Sequence, residues 1–208
     1  MKIINAGYEF ITPIDGSVIL KRIEQAGRTC YKSEDKITDD SAIKFAQNII
    51  KRGHEAVLEH CSFTVKFIVD RGVSHEIVRH RMASYCQEST RYCNYAQDKF
   101  GNEITVIKPC FWEEHTHLFT DWKSAMRMAE AHYFDLIAHG ATAQEARSVL
   151  PNSLKTEVVM TANIREWRHF LKLRTSSAAH PQIREVAIPL LKELQEKIPV
   201  LFDDIEVE

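Results

Sequence analysis

An α+β fold, one domain over residues 1–208 with a central β-sheet flanked by helices, is what this sequence predicts. Two kinds of patterning predict it: apolar residues recur at helical intervals in several long stretches and alternate with period two in shorter ones. The third observation is size, since 208 residues that are 44% hydrophobic and 27% charged are enough for one sizeable core.

In chain order, residues 2–14 mix β-branched and aromatic side chains with Gly7 and Pro13, a strand and its exit. Residues 17–31 carry Val18, Ile19, Ile23 and Ala26 at helical spacing. A second helix is expected over 38–51, with Thr38 as its N-cap and Gly53 stopping it. Residues 62–69 alternate Phe63, Val65 and Phe67 with Thr64 and Lys66, a strand with one buried face. Val73, Ile77 and His80 then fit a helix over 74–82 capped by Ser74, followed by a polar loop that Arg91 closes.

Residues 104–107 read as a strand, 121–139 as an amphipathic helix ending at Gly140, and 142–150 as a short helix with a Thr142/Glu145 capping box. Residues 153–162 are β-rich, 166–173 helical, and 181–197 form a last helix.

Composition removes several functions. A net charge of −2 argues against a general nucleic-acid binder. The N-terminus does not resemble a signal peptide and no apolar run reaches the roughly 18 residues of a membrane span, so a cytoplasmic protein with no membrane partner is expected. Five cysteines without a Cys-x-x-Cys pair predict neither a disulfide framework nor a zinc ribbon. His54 and His60, six apart, lack the spacing of a helical zinc pair, so no metal is expected.

The chemistry concentrates in residues 79–92, RHRMASYCQESTRY, where guanidinium, imidazole, hydroxyl and amide groups share one short segment. Taken alone, Arg79-His80-Arg81 reads as a solvated helix face, and Arg79 and Arg81 would point about 200° apart on a helix. Guanidinium with neighbouring hydroxyls is also the equipment for holding a phosphate by bidentate, charge-assisted bonds. Cys86 has no local cause for a depressed thiol pKa beyond nearby arginines, which disfavours it as a nucleophile.

Arg79-His80-Arg81 followed after seven residues by Ser89, with Ser84, Arg91 and Tyr92, resembles the signature of the flavin-dependent thymidylate synthases. Three further stretches resemble that family in the same order: residues 54–60 (HEAVLEH), Arg147-x-x-Leu150-Pro151, and Asn163-x-Arg165 continuing to Leu173-Arg174.

The resemblance implies the family's α+β fold and the reductive methylation of dUMP to dTMP. Methylenetetrahydrofolate would give the carbon, and FAD reduced by NADPH the hydride. It places Glu76, Arg79, Gln87, Glu88, Ser89, Thr90, Arg91, Arg147 and Arg174 at dUMP, with Arg174 catalytic beside the uracil. It places His54, Glu59, Arg79, His80, Arg81, Gln87, Asn163, Arg165 and His169 at FAD, in a homotetramer with shared active sites. Ala56 departs from the family's Ser or Thr, and His169 from its frequent Asn. Two other classes stay open on the residues alone, a phosphate clamp for nucleic acid and a metal hydrolase built on scattered histidines.

Overall fold

The computed structural model describes residues 1–207. In chain order the elements are strands β1 (Lys2–Ile4) and β2 (Gly7–Phe10), helices α1 (Gly16–Tyr31) and α2 (Ser41–Lys51), β3 (Ser62–Asp70), α3 (Arg71–Ile77), β4 (Ala83–Gln87), β5 (Thr105–Ile107), α4 (His117–Ala138), α5 (Ala143–Ala146), β6 (Lys155–Asn163), α6 (Ile164–Arg174), α7 (Pro181–Lys197) and α8 (Pro199–Phe202). β1 pairs with β5, and a four-stranded sheet has the order β2-β3-β6-β4. The mixed α and β content agrees with the fold class read from the sequence. Among the described residues no helix is long and apolar enough to cross a membrane.

The chain divides into two compact units. The first comprises Met1–Gly7, Phe67–Arg79 and Cys86–Val159. In it β1 and β5 run parallel, with Ile3 opposite Val106. Its core is set by α4, whose Phe119, Trp122, Met126 and Tyr133 recur at helical spacing and pack with Tyr95, Ile104, Val106 and Leu154. The Trp122 indole N–H is satisfied by Ser153 Oγ at 3.0 Å. Gly140, at φ +93°, follows α4 where the sequence predicts its stop.

The second unit comprises Tyr8–Lys66, His80–Tyr85 and residues 160–207. Trp167 of α6 is its centre: the indole stacks on Phe63 at 4.8 Å and donates to the Phe63 carbonyl at 3.1 Å. Phe170, Leu171, Ile183, Val186, Leu190 and Leu194 extend the apolar interior. α1 and α2 approach so closely that a Cβ on Gly27 would lie 2.4 Å from the Phe45 ring.

Several boundaries differ from the sequence reading. Residues 2–14 make two strands, β1 and β2. α2 begins at Ser41, because Thr38 is tied into a turn, its N–H donating to Ser41 Oγ at 2.9 Å. α4 begins four residues early, since Thr116 accepts the Phe119 N–H and caps it.

α3 is capped by Asp70, which accepts the Val73 N–H at 2.8 Å, and it ends at Ile77. Ser74 therefore lies inside the helix, donating to the Arg71 carbonyl. Arg79, His80 and Arg81 fall in the turn beyond α3, so the helical angle between the two arginines does not apply. The expected polar loop after Met82 is strand β4. Helix signals misled here because Val73, Ile77 and His80 keep a helical spacing that the backbone abandons after Ile77.

Candidate functional site

The second unit builds its polar site on α6. β6 runs into this helix without a loop: Asn163 is the last strand residue and also the N-cap, accepting the Glu166 N–H at 2.9 Å. Helical periodicity then sends Trp167, Phe170 and Leu171 to the core, while Glu166, His169 and Arg174 gather around His80. The His80 ring, 4% exposed, sits edge-on to Phe170 at 4.9 Å.

Both ring nitrogens of His80 are engaged. Nδ1 lies 3.0 Å from Glu166 Oε1, and the Arg174 Nε–H donates to Nε2 at 3.1 Å. A guanidinium can only donate, so Nε2 accepts and the ring proton sits on Nδ1, directed at Glu166. Burial holds the His80 pKa below its ordinary 6.5; the Glu166 hydrogen bond opposes that shift and the Arg174 charge adds to it. The imidazole is neutral at pH 7. The Tyr85 hydroxyl donates to the His80 carbonyl at 2.6 Å, and burial, then the Glu166 charge, push the phenol up to about 12.

His80, Glu166 and His169 offer ligand atoms within 4.8 Å of one another, which superficially resembles a cation site. The cationic Arg174 Nε on His80 Nε2 opposes a metal there on electrostatic grounds.

A cavity of about 380 Å³ is lined by Glu55, Glu59, Met82, Asn163, Arg165, Glu166, Arg168, His169 and Lys172, within the size range of small-molecule sites. Arg165 donates to Glu59 at 2.6 Å, both side chains close to half exposed. An exposed, solvent-screened pair of this kind is weak. The guanidinium can thus exchange its partner for an anionic ligand group at small cost. Arg168 differs: its side chain is buried, forks onto Asp204 at 2.7 Å through each nitrogen and donates to the Leu201 carbonyl. It is a structural cation, and its hydrogen bonds hold the Asp204 carboxyl below the usual range.

His54 lies in the same unit but lines another cavity, with Arg28, Tyr31 and Arg52. Its Nδ1 is 3.4 Å from the Tyr31 hydroxyl. Arg81 is exposed.

The first unit carries the other expected residues. Thr90, buried, lies 3.5 Å from an Arg147 nitrogen at the outer limit of a hydrogen bond, so residues 57 apart in sequence become neighbours. Ser89 starts a tight turn in which its Oγ accepts the Arg91 N–H and its carbonyl accepts from Cys93. The exposed Arg91 guanidinium sits 5.5 Å over the Tyr92 ring.

Gln87 is committed internally, its amide donating to the buried hydroxyls of Ser74 at 3.0 Å and Thr156 at 3.2 Å. Glu88 accepts from Lys155 Nζ at 2.9 Å and from the Tyr95 hydroxyl at 3.1 Å. Burial works against the Lys155 charge, but Glu88 and Glu157 outweigh it and keep the pKa above its ordinary value. The Arg79 N–H donates to the Glu76 carbonyl at 3.3 Å, and the Arg79 side chain is exposed.

Sequence reasoning missed Glu166, Tyr85 and Lys155. Asn163-x-x-Glu166 reads as a helix-start pattern, and half of it is one, yet the carboxylate turns to His80. Lys155 and Tyr85 sit on strands, where nothing local marks them.

The family of thymidylate synthase complementing proteins matches residues 18–200. A protein of Corynebacterium glutamicum is 33% identical over 98% of this chain and 85% of its own length. Others from Geobacter sulfurreducens, at 35% over 86% and 78%, and Pyrococcus furiosus, at 34% over 82% and 70%, are similar. All three are named flavin-dependent thymidylate synthase. The resemblance first carried by Arg79-His80-Arg81 and Ser89 thus extends along nearly the whole sequence, and the chain belongs to the thymidylate synthase complementing protein family.

Proposed function

We propose that this chain is a flavin-dependent thymidylate synthase, which methylates dUMP to dTMP. The observation that carries the reading is the equipment of α6, which presents Asn163, Arg165 and His169 to an open cavity and holds Arg174 by a neutral imidazole.

In this reading Ser89, Arg91 and Arg147 hold the nucleotide phosphate, with Thr90 beside Arg147, and Glu76, Arg79, Gln87 and Glu88 complete the dUMP side. Glu59, Asn163, Arg165 and His169 receive FAD, together with His54, Arg79, Arg81 and the segment around His80 and Gln87. FAD reduced by NADPH supplies the hydride, and 5,10-methylenetetrahydrofolate supplies the carbon. Arg174 donates to the N3–O2 edge of the uracil and stabilises the negative charge that makes C5 a nucleophile. Preorganised cations of this kind leave redox chemistry to the cofactor and contribute orientation and electrostatics. The assembly expected is a homotetramer with shared active sites.

Purified protein is therefore expected to be yellow, with a flavin absorption band. It should release tritium from 5-tritiated dUMP only when both methylenetetrahydrofolate and NADPH are supplied. Colourless protein that gains no activity on adding FAD rejects the reading. Light scattering that returns a monomer under assay conditions rejects the tetramer.

A further inference from the structure

We propose that Glu166 and His80 are positioning residues for Arg174, a chain in which a neutral imidazole serves as the acceptor that fixes the guanidinium. The proposal rests on the thymidylate synthase reading, because it is the task of Arg174 at the pyrimidine that gives the chain its purpose.

The geometry carries it. His80 leaves α3 and returns in the turn before β4, so only tertiary structure brings it to α6. There its Nδ1–H faces Glu166 Oε1 at 3.0 Å, and its Nε2 accepts from Arg174 Nε at 3.1 Å. An arginine held through Nε has lost much of its rotational freedom, and its two terminal nitrogens become a directed fork. The Glu166 N–H is itself fixed by the Asn163 cap, so the order runs from the strand end through the helix start to the guanidinium. Phe170 and the Tyr85 hydroxyl on the His80 carbonyl keep the ring from turning.

The arrangement works in one protonation state only. A proton on Nε2 removes the acceptor and sets a second cation against Arg174. The charged or titratable groups facing the ring are Glu166, Arg174 and His169 from α6 and Tyr85 from β4. Of these Glu166 alone favours the protonated ring, so its removal makes His80 harder to protonate.

The test uses the full chain and four forms: unaltered, His80→Leu, His80→Gln and Glu166→Gln. For each, flavin per chain, kcat and KM for dUMP are measured across pH. If the unaltered protein binds no flavin or makes no thymidylate, the functional reading fails by itself, before any variant is compared. Given an active protein, His80→Leu, assayed with FAD supplied to saturation, is expected to keep its dUMP KM while kcat per bound flavin falls about 100-fold. His80→Gln, which offers an amide oxygen where Nε2 stood, recovers at least about tenfold of that loss. Glu166→Gln moves the acidic limb of kcat to lower pH.

A merely structural histidine would show equal losses of kcat per bound flavin in His80→Leu and His80→Gln, and that result overturns the proposal. So does an acidic limb that stays in place in Glu166→Gln. Should His80→Leu fail to fold, Glu166→Gln and His80→Gln decide the matter. The shifted limb of the first and a flattened limb in the second support the proposal, and unchanged profiles overturn it.

Discussion

Arg174 and Gln87 are both proposed at the dUMP side, and Gln87 is in addition tied to two buried hydroxyls. Arg174→Ala is expected to retain flavin while turnover drops about 10²–10³-fold, the usual cost of losing one preorganised donor to developing charge. Arg174→Lys should not restore it, since an ammonium has neither the Nε–H that meets His80 nor a planar fork. Unchanged turnover in the alanine variant would remove Arg174 from the reaction. Gln87→Leu strips the amide from two buried hydroxyls, Ser74 and Thr156, and is expected to lower stability by about 1–3 kcal/mol. Chemical denaturation of the purified variant measures that. A loss confined to dUMP affinity, with stability unchanged, would show that its ligand contact outweighs these internal bonds.

Two strands pass directly into helices through an Asx cap, and these junctions explain where elements begin. Asp70 and Asn163 share the same backbone angles, φ −76° and ψ 166°, and each accepts the N–H three residues on. Asn163→Ala should cost about 1 kcal/mol of stability and Asn163→Asp almost nothing, because aspartate caps as well. Thermal melts of the two variants would check this. Gly27→Ala drives a methyl into the Phe45 ring where α1 meets α2 and is expected to cost about 1–3 kcal/mol, measurable as a lower midpoint of denaturation.

At this level α1, α7 and the α5 capping box were legible, because periodicity and caps are local signals: Thr142 and Glu145 pair as the spacing requires. The end of α3 was not. Val78 to Met82 turn because the chain must deliver His80 to Glu166 and Arg174, residues 86 and 94 positions away. A motif pointed to His80, but not that it faces a carboxylate on one side and a guanidinium on the other.

For the molecule as a whole, the buried groups set the response to acid. His80 is held below 6.5 and Asp204 below 3.8. Both shifts are depressions, so the unfolded chain binds these protons first and each group's contribution is present above its ordinary value and lost as pH falls. Stability is therefore expected to decline in two stages, the first beginning just under pH 6.5 and the second under about pH 4. Urea midpoints measured from pH 8 to pH 3 should show the first stage vanish in His80→Gln and the second persist; a flat profile through pH 5 would contradict this.

α6 also restricts how this protein can vary. Its side chains divide between interior and cavity, Trp167 and Phe170 inward, Arg165 and His169 outward. Deleting a single codon within it would swing every later side chain by about 100° around the axis, burying charge and baring aromatic rings. Divergence along this rod must proceed by exchange of letters at constant length, and insertions should be tolerated only in the connections that lie away from it.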